Sequence, residues 1–373
     1  MQSVTIGPNY AGQRLDKFLR KFLPQAGTGF LYKMLRKKNI TLNGRKAEGS
    51  ELLTQGDEVC FFFSPETFAK FAGNPHGDTR LPDERLSEYR AAYGSLKDIH
   101  VIHEDEHILI LDKPAGVLTQ KAAAGDLSLN EWMIGYLLAE DPDFEKELAG
   151  FRPSVCNRLD RNTSGLVLCG KSLPGLQYLS RCIKERSIRK FYRTICLGQL
   201  WESALVKGYL MKDEGKNKVR VDAGDDRAVE GSAAENGTVK RSAMDRSDAT
   251  GRIVDCSAVK GAYIETAYKP LRVGEHHTLL DVELITGKPH QIRAHLASTG
   301  HPLIGDRKYG DQRINHALQE QYGLRHQLLH AFQVIFPESS EPAGMNVSGK
   351  SFSAACPKLF VRLQEGLGLF CEV

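Results

Sequence analysis

Three stretches of this chain gather side chains able to do chemistry. The first is Asn157-Arg158-Leu159-Asp160-Arg161-Asn162-Thr163-Ser164-Gly165, where a carboxylate stands among hydroxyl and amide groups just before the apolar run Leu166 to Leu168. A loop ahead of a strand can be held rigidly by an ordered scaffold, so its carboxylate can be aimed. The same residues also fit an Asx or Ser/Thr turn, with Asp160 bonding nearby backbone N–H groups. The second stretch runs from Leu284 to Leu296 and crowds Lys288, His290, Gln291, Arg293 and His295 at the expected start of a helix. Exposed N–H groups and the helix dipole favour an anion there, although a solvated polar cap has the same composition. Gly287-Lys288 is not a phosphate-binding P-loop, because the G-x-x-x-x-G-K spacing is missing. The third stretch, His103-Glu104-Asp105-Glu106-His107, spells the zinc-protease pattern H-E-x-x-H. That pattern places two imidazoles together only on a helix, and here it falls between the β-like runs Val101-Ile102 and Ile108 to Leu111, so no metal site is expected.

The elements that must position these residues follow from periodicity. Leu15, Phe18, Leu19, Phe22 and Leu23 form one helical stripe, with Arg14, Lys17, Arg20 and Lys21 off it. Pro24 and Gly27 end that helix, and a second runs through Leu31, Met34 and Leu35 into Arg36, Lys37 and Lys38. Short strands are expected at Ile40 to Leu42 and Glu58 to Phe63, with turns at Asn43-Gly44 and Gly56-Asp57. Residues 1–63 therefore read as a small α/β unit, which buries little core and suits a satellite binding module. Residues 64–97 hold Pro65, Pro75, Gly77 and Pro82 and read as a linker. A larger body, 98–373, opens with strands at His100 to Ile102 and His107 to Leu111. It continues with a helix announced by the capping-box pair Ser128 and Glu131. Strands at Leu166 to Cys169, Tyr192 to Leu197 and Thr278 to Ile285, with a helix at Leu176 to Ile183, lack a regular βαβ rhythm. The expected class is α+β with a largely antiparallel mixed sheet and flanking helices. Residues 222–258, nearly devoid of large apolar side chains, read as a flexible insertion.

Composition narrows the setting. No apolar run approaches the roughly 20 residues of a membrane span, and the N-terminus has no secretory pattern. The eight cysteines are scattered singly, which fits a reducing, cytoplasmic protein better than a stapled or zinc-knuckle scaffold. Residues 1–50 carry ten Lys/Arg against two acids, while the whole chain is only +4. Basic charge is thus concentrated at one end, as a polyanion-binding module would have it, or as a merely solvated basic surface would.

Taken in order, these segments closely resemble the RluA-type family of pseudouridine synthases, and residues 1–63 resemble the S4 RNA-binding domain that many members carry. The match includes His103-Glu104-Asp105, Leu111-Asp112-Lys113-Pro114-Ala115-Gly116, Arg158-Leu159-Asp160 and Thr163-Ser164-Gly165-Leu166. It continues through Lys190-Phe191-Tyr192, Tyr263-Ile264-Glu265-Thr266, Thr286-Gly287 with His290-Gln291-Ile292-Arg293, Gly300-His301-Pro302, Gly305-Asp306 and Leu329-His330-Ala331. The sequence departs from the family at Asn157, usually His, and at Lys288, more commonly Arg. The long segment 222–258 is also unusual.

The resemblance implies a catalytic domain of pseudouridine synthase type that isomerises uridine in structured RNA, with large-subunit (23S) ribosomal RNA as the leading substrate and transfer RNA as the alternative. It implies Asp160 as nucleophile, Arg293 as the guanidinium that keeps and aims that carboxylate, and Tyr192 as the ring stacked on the target base. Whether the Tyr192 phenol also removes the C5 proton stays open, as does attack at C1′ against attack at C6. Arg158 matches a residue that fills the space of a flipped-out uridine. Phosphate contacts are expected from Arg14, Lys17, Arg20, Arg36, Lys37 and Lys38. The isomerisation needs no second reactant, so no cofactor and no metal are expected, and no obligate protein partner is evident, so a monomer is expected. Two rivals are an S4-bearing protein that grips RNA without modifying it and a zinc peptidase.

Overall fold

The computed structural model describes residues 2–7, 10–72, 83–141, 143–148, 151–213, 218–222, 261–340 and 342–370. Near the N-terminus the apolar stripe does what its spacing dictates. Helix Leu15–Phe22 buries Leu15, Phe18 and Leu19 against Leu31 and Leu35 of helix Thr28–Arg36, together with Ile40, Val59 and Phe61. Arg14, Lys17, Arg20, Arg36, Lys37 and Lys38 are all exposed. The strands form a four-stranded antiparallel sheet in the order Gln2–Thr5, Glu58–Phe61, Ile40–Leu42, Arg45–Lys46. Asn43 and Gly44 both adopt positive φ, 50° and 72°, as a two-residue hairpin turn between Ile40–Leu42 and Arg45–Lys46 requires.

Two compact units divide the chain, Met1–Ile188 with Ala331–Ala355 and Arg189–His330 with Cys356–Val373. In the first, His100–Glu104 pairs antiparallel with Ile108–Lys113, which pairs in turn with Ser164–Gly170. Ile108, Ile110, Leu166 and Leu168 point to a core shared with Tyr178, Leu179 and Cys182 of helix Leu173–Glu185. That helix starts earlier than apolar spacing indicates, because Ser172 caps it by accepting from Gly175 N at 3.2 Å and Pro174 suits its first turn. The stretch 64–97, expected as a linker, carries helices Pro65–Ala72 and Asp83–Ser95. The second of these lies tightly on helix Leu129–Glu140, where a Cβ on Gly135 would stand 2.2 Å from Tyr89 O. Ser128 occupies the N-cap of Leu129–Glu140, and its hydroxyl donates to the Glu131 carboxylate rather than accepting from the backbone.

In the second unit the strands Arg189–Leu197, His277–Leu284, Ala262–Val273, Ala204–Asp213 and Lys218–Asp222 lie side by side in that order, every pair antiparallel. Helices Gln291–Ser298, Gln312–Tyr322 and Lys358–Gly366 accompany them. This is the expected α+β arrangement. The insertion expected at 222–258 lies, apart from Asp222, outside the described residues. Among the described residues no helix is long and apolar enough to cross a membrane.

Candidate active site

The loop bearing Asp160 is fixed through its backbone. Thr119 Oγ1 donates to Leu159 O at 2.8 Å and accepts from Leu159 N at 3.2 Å, so one buried hydroxyl satisfies both polar groups of the residue before Asp160. Asp160 O accepts from Thr163 N at 3.0 Å, closing the turn. Arg161 O accepts from Gly116 N at 2.9 Å and from Lys113 Nζ at 3.1 Å. Asn157 docks the loop's entry on the following strand, accepting from Leu168 N at 2.7 Å. Gly165, at φ 111°, lets that strand begin with its backbone against Ala331, where a Cβ would stand 2.2 Å from Ala331 O. Asp160 itself is partly buried and Arg158 is exposed.

Lys113 is the least expected member of this site. It is fully buried, and its ammonium donates to three carbonyls, those of Pro114, Val117 and Arg161, at 3.0, 2.9 and 3.1 Å. Burial pulls its pKa down to about 7, while the negative charges of Asp160 and Asp112 work in the opposite direction. A lysine ending a β-strand gives no sequence signal that it will turn inward.

The remaining expected residues stand in the second unit. Tyr192 lies on strand Arg189–Leu197, paired with Val282 and only 5% exposed. Arg293 is buried on helix Gln291–Ser298, and its guanidinium grips Asp306 through Nε to Oδ2 at 2.7 Å and Nη2 to Oδ1 at 2.9 Å. Burial alone would raise the Asp306 pKa. The Arg293 bond and charge, with amides from Lys308 and Tyr309 at 2.8 and 3.1 Å, hold it below the ordinary carboxylate value instead. The Arg293 guanidinium also lies 5.3 Å from the centre of the Tyr309 ring, whose hydroxyl meets His290 Nδ1 at 3.1 Å. Gln291 ties the helix start to the sheet, donating to Glu265 O and Thr266 Oγ1 and accepting from Thr286 Oγ1 and Lys288 N. Among the groups gathered around Arg293, Asp306 and Tyr309 are not singled out by residue type or spacing. The pair Gly305-Asp306 in the resemblance was the available signal.

The H-E-x-x-H stretch forms the turn of a β-hairpin. His103 meets Asp105 at 3.2 Å and packs on the Phe352 ring, while both ring nitrogens of His107 are engaged, with Ser172 Oγ at 2.6 Å and Ala343 O at 2.7 Å. This arrangement aims the two imidazoles at different partners.

Comparison with known proteins bears on these observations. Residues 107–298 match the family described as RNA pseudouridylate synthase. The chain is 30% identical over 350 residues to a protein of Vibrio parahaemolyticus named ribosomal large subunit pseudouridine synthase C, covering 93% of this chain and 92% of that one. It is also 30% identical over 339 residues to the Escherichia coli protein of the same name, covering 89% and 88%. A solved structure titled Human RNA Pseudouridylate Synthase Domain Containing 4 aligns with 77% of this chain and 98% of its own, at 20% identity and a TM-score of 0.49.

Proposed function

Because this chain belongs to the RNA pseudouridylate synthase family, whose members are isomerases, we propose that it converts uridine to pseudouridine in large-subunit ribosomal RNA, with Asp160 as its nucleophile. The observation that carries the role of Asp160 is the loop itself. The residues on both sides of the carboxylate are pinned by Thr119, Gly116 and Lys113, which is the preorganisation a reacting group needs. The choice of RNA rests on the printed names of the relatives.

The isomerisation breaks the C1′–N1 bond, turns the freed base and joins C5 to C1′. Asp160 serves it by adding to the nucleoside, at C1′ or at C6, and leaving again when the new bond forms. The C5 proton departs as the pyrimidine regains its ring electrons. Arg293 is assigned to keeping the nucleophile ionised, and its plane is fixed because Asp306 holds the Nε–Nη2 edge. Tyr192 is assigned to stacking on the base. Flipping the uridine out of a folded RNA costs about a few kcal/mol, and Arg158, exposed beside Asp160, is assigned to filling the vacated space. Residues 1–63, read as an S4-like unit, supply phosphate contacts. Arg14 and Arg20 are partly neutralised there by Asp16, at 3.1 and 3.0 Å.

The test is tritium release from 5-tritiated ribosomal and transfer RNA by wild type and Asp160→Asn. Release from ribosomal RNA by wild type alone is expected. No release from either RNA, with tight binding, would replace this reading with that of an RNA-gripping protein.

A further inference from the structure

The second unit carries a group of cations that the assigned site does not use. Gly305 sits at φ 73° with its backbone against the chain at His326, where a Cβ would stand 2.2 Å from His326 O, and Leu328 N donates to Ile304 O at 3.0 Å. The turn after Gly305 is therefore laid directly on the segment 324–328. Buried Asn315 locks it in place, accepting from Gly305 N at 2.7 Å and donating to Asp306 O at 2.9 Å. This close approach sets Arg307 beside His326, which Arg325 precedes in the chain. Burial, then the charges of Arg307 and Arg325, lower the His326 pKa, as expected where like charges converge. Arg313, in the first turn of helix Gln312–Tyr322, adds a further cation.

The acids of this turn are committed elsewhere. Asp306 is buried with Arg293, and Asp311 caps its helix, accepting from Arg313 N at 2.8 Å and Ile314 N at 3.1 Å. Arg307, Arg313 and Arg325 are exposed, and none has a carboxylate within 4.0 Å among the described residues. A scattered basic surface would not be built this way. Here a glycine contact lays the turn on the segment 324–328, a buried amide fixes that turn to the following helix, and Arg307 and Arg325 both bear on His326. Guanidinium forks suit phosphate oxygens in particular.

We propose that Arg307, Arg325 and Arg313 form a second phosphate-binding surface for the RNA substrate, in addition to the basic N-terminal unit. The proposal rests on the reading that the substrate is RNA. It assigns part of the grip on the RNA backbone to the unit that also carries Arg293.

The experiment is equilibrium binding of the full chain to a 5-tritiated large-subunit ribosomal RNA transcript between about 50 and 200 mM salt, with tritium release followed in parallel. The double variant Arg307→Gln/Arg325→Gln is expected to weaken binding about tenfold and to make the slope of log affinity against log salt shallower by about 1 to 2. Arg307→Lys/Arg325→Lys keeps both charges and is expected to keep the wild-type slope. An unchanged slope in the glutamine pair overturns the proposal, and so does a lysine pair that falls as far as the glutamine pair. Wild type that binds with the expected salt response but releases no tritium would sink the isomerase substrate reading and leave the phosphate surface standing. Wild type that does not bind RNA would sink both.

Discussion

Two charged groups, Asp160 and Arg293, are held in opposite ways. The Asp160 loop is fixed by main-chain bonds to its neighbours and by a buried lysine that donates only to carbonyls. Arg293 is fixed through its own side chain, by a buried two-bond ion pair with Asp306. On the proposed roles, the difference separates a side chain that has to form and break a bond from one that has to stay charged and still. The bonds that clamp the first go to the backbone of Leu159 and Arg161. Clamping the second by a counterion secures its charge in a dry site.

The comparison can be broken at either end. Asp160→Asn is expected to bring tritium release down to background while every backbone clamp on the loop stays in place. Asp306→Asn should act on stability as well as on turnover. It removes the Asp306 carboxylate from the buried Arg293 guanidinium at a cost of roughly 3–5 kcal/mol, read by urea unfolding. A drop below about 1 kcal/mol would mean that solvent replaces Asp306, and the contrast would collapse.

Lys113→Met sharpens it further. Three carbonyls lose the lysine donor, Arg161 O keeping that of Gly116 N, at roughly 1–3 kcal/mol. The pH dependence carries a sign. With a folded pKa of about 7 against about 10.5 unfolded, the unfolded chain binds a proton that the fold has released anywhere between those values. Wild-type stability should therefore rise relative to Lys113→Met as pH climbs from 7 toward 10 and run parallel to it below pH 7. A flat difference across pH 7–10 contradicts the buried-amine assignment. The smallest effect is expected at Thr119. Thr119→Val strands both polar groups of Leu159 and should cost roughly 1–2 kcal/mol with a fall in turnover, whereas Thr119→Ser keeps the hydroxyl and should recover most of both.

Much of the architecture was legible because it is local. The stripe from Leu15 to Leu23 specified a helix and its buried face, and Asn43-Gly44 specified a hairpin turn. The apolar run after Ser164 specified a strand, which the structure buries on both faces. Helix Asp83–Ser95 was missed because no apolar stripe marks it, and its docking depends on Gly135 allowing contact with Tyr89. The extra turn before Leu176 was missed because the signal was a cap, Ser172 with Pro174, rather than an apolar position.

By itself the sequence determined the types of most elements, the concentration of basic charge at one end and the loop in which Asp160 stands, because these depend on residues within a few positions of one another. Only the tertiary structure decided that Asp306 is a partner of Arg293, that Lys113 turns inward to the carbonyl of Arg161, and that Arg307 comes to rest beside His326. Those pairings join segments separated by up to 48 positions. They depend on strand register and on close backbone approach at Gly165 and Gly305, and a buried charge takes whichever partner the packed chain brings within reach.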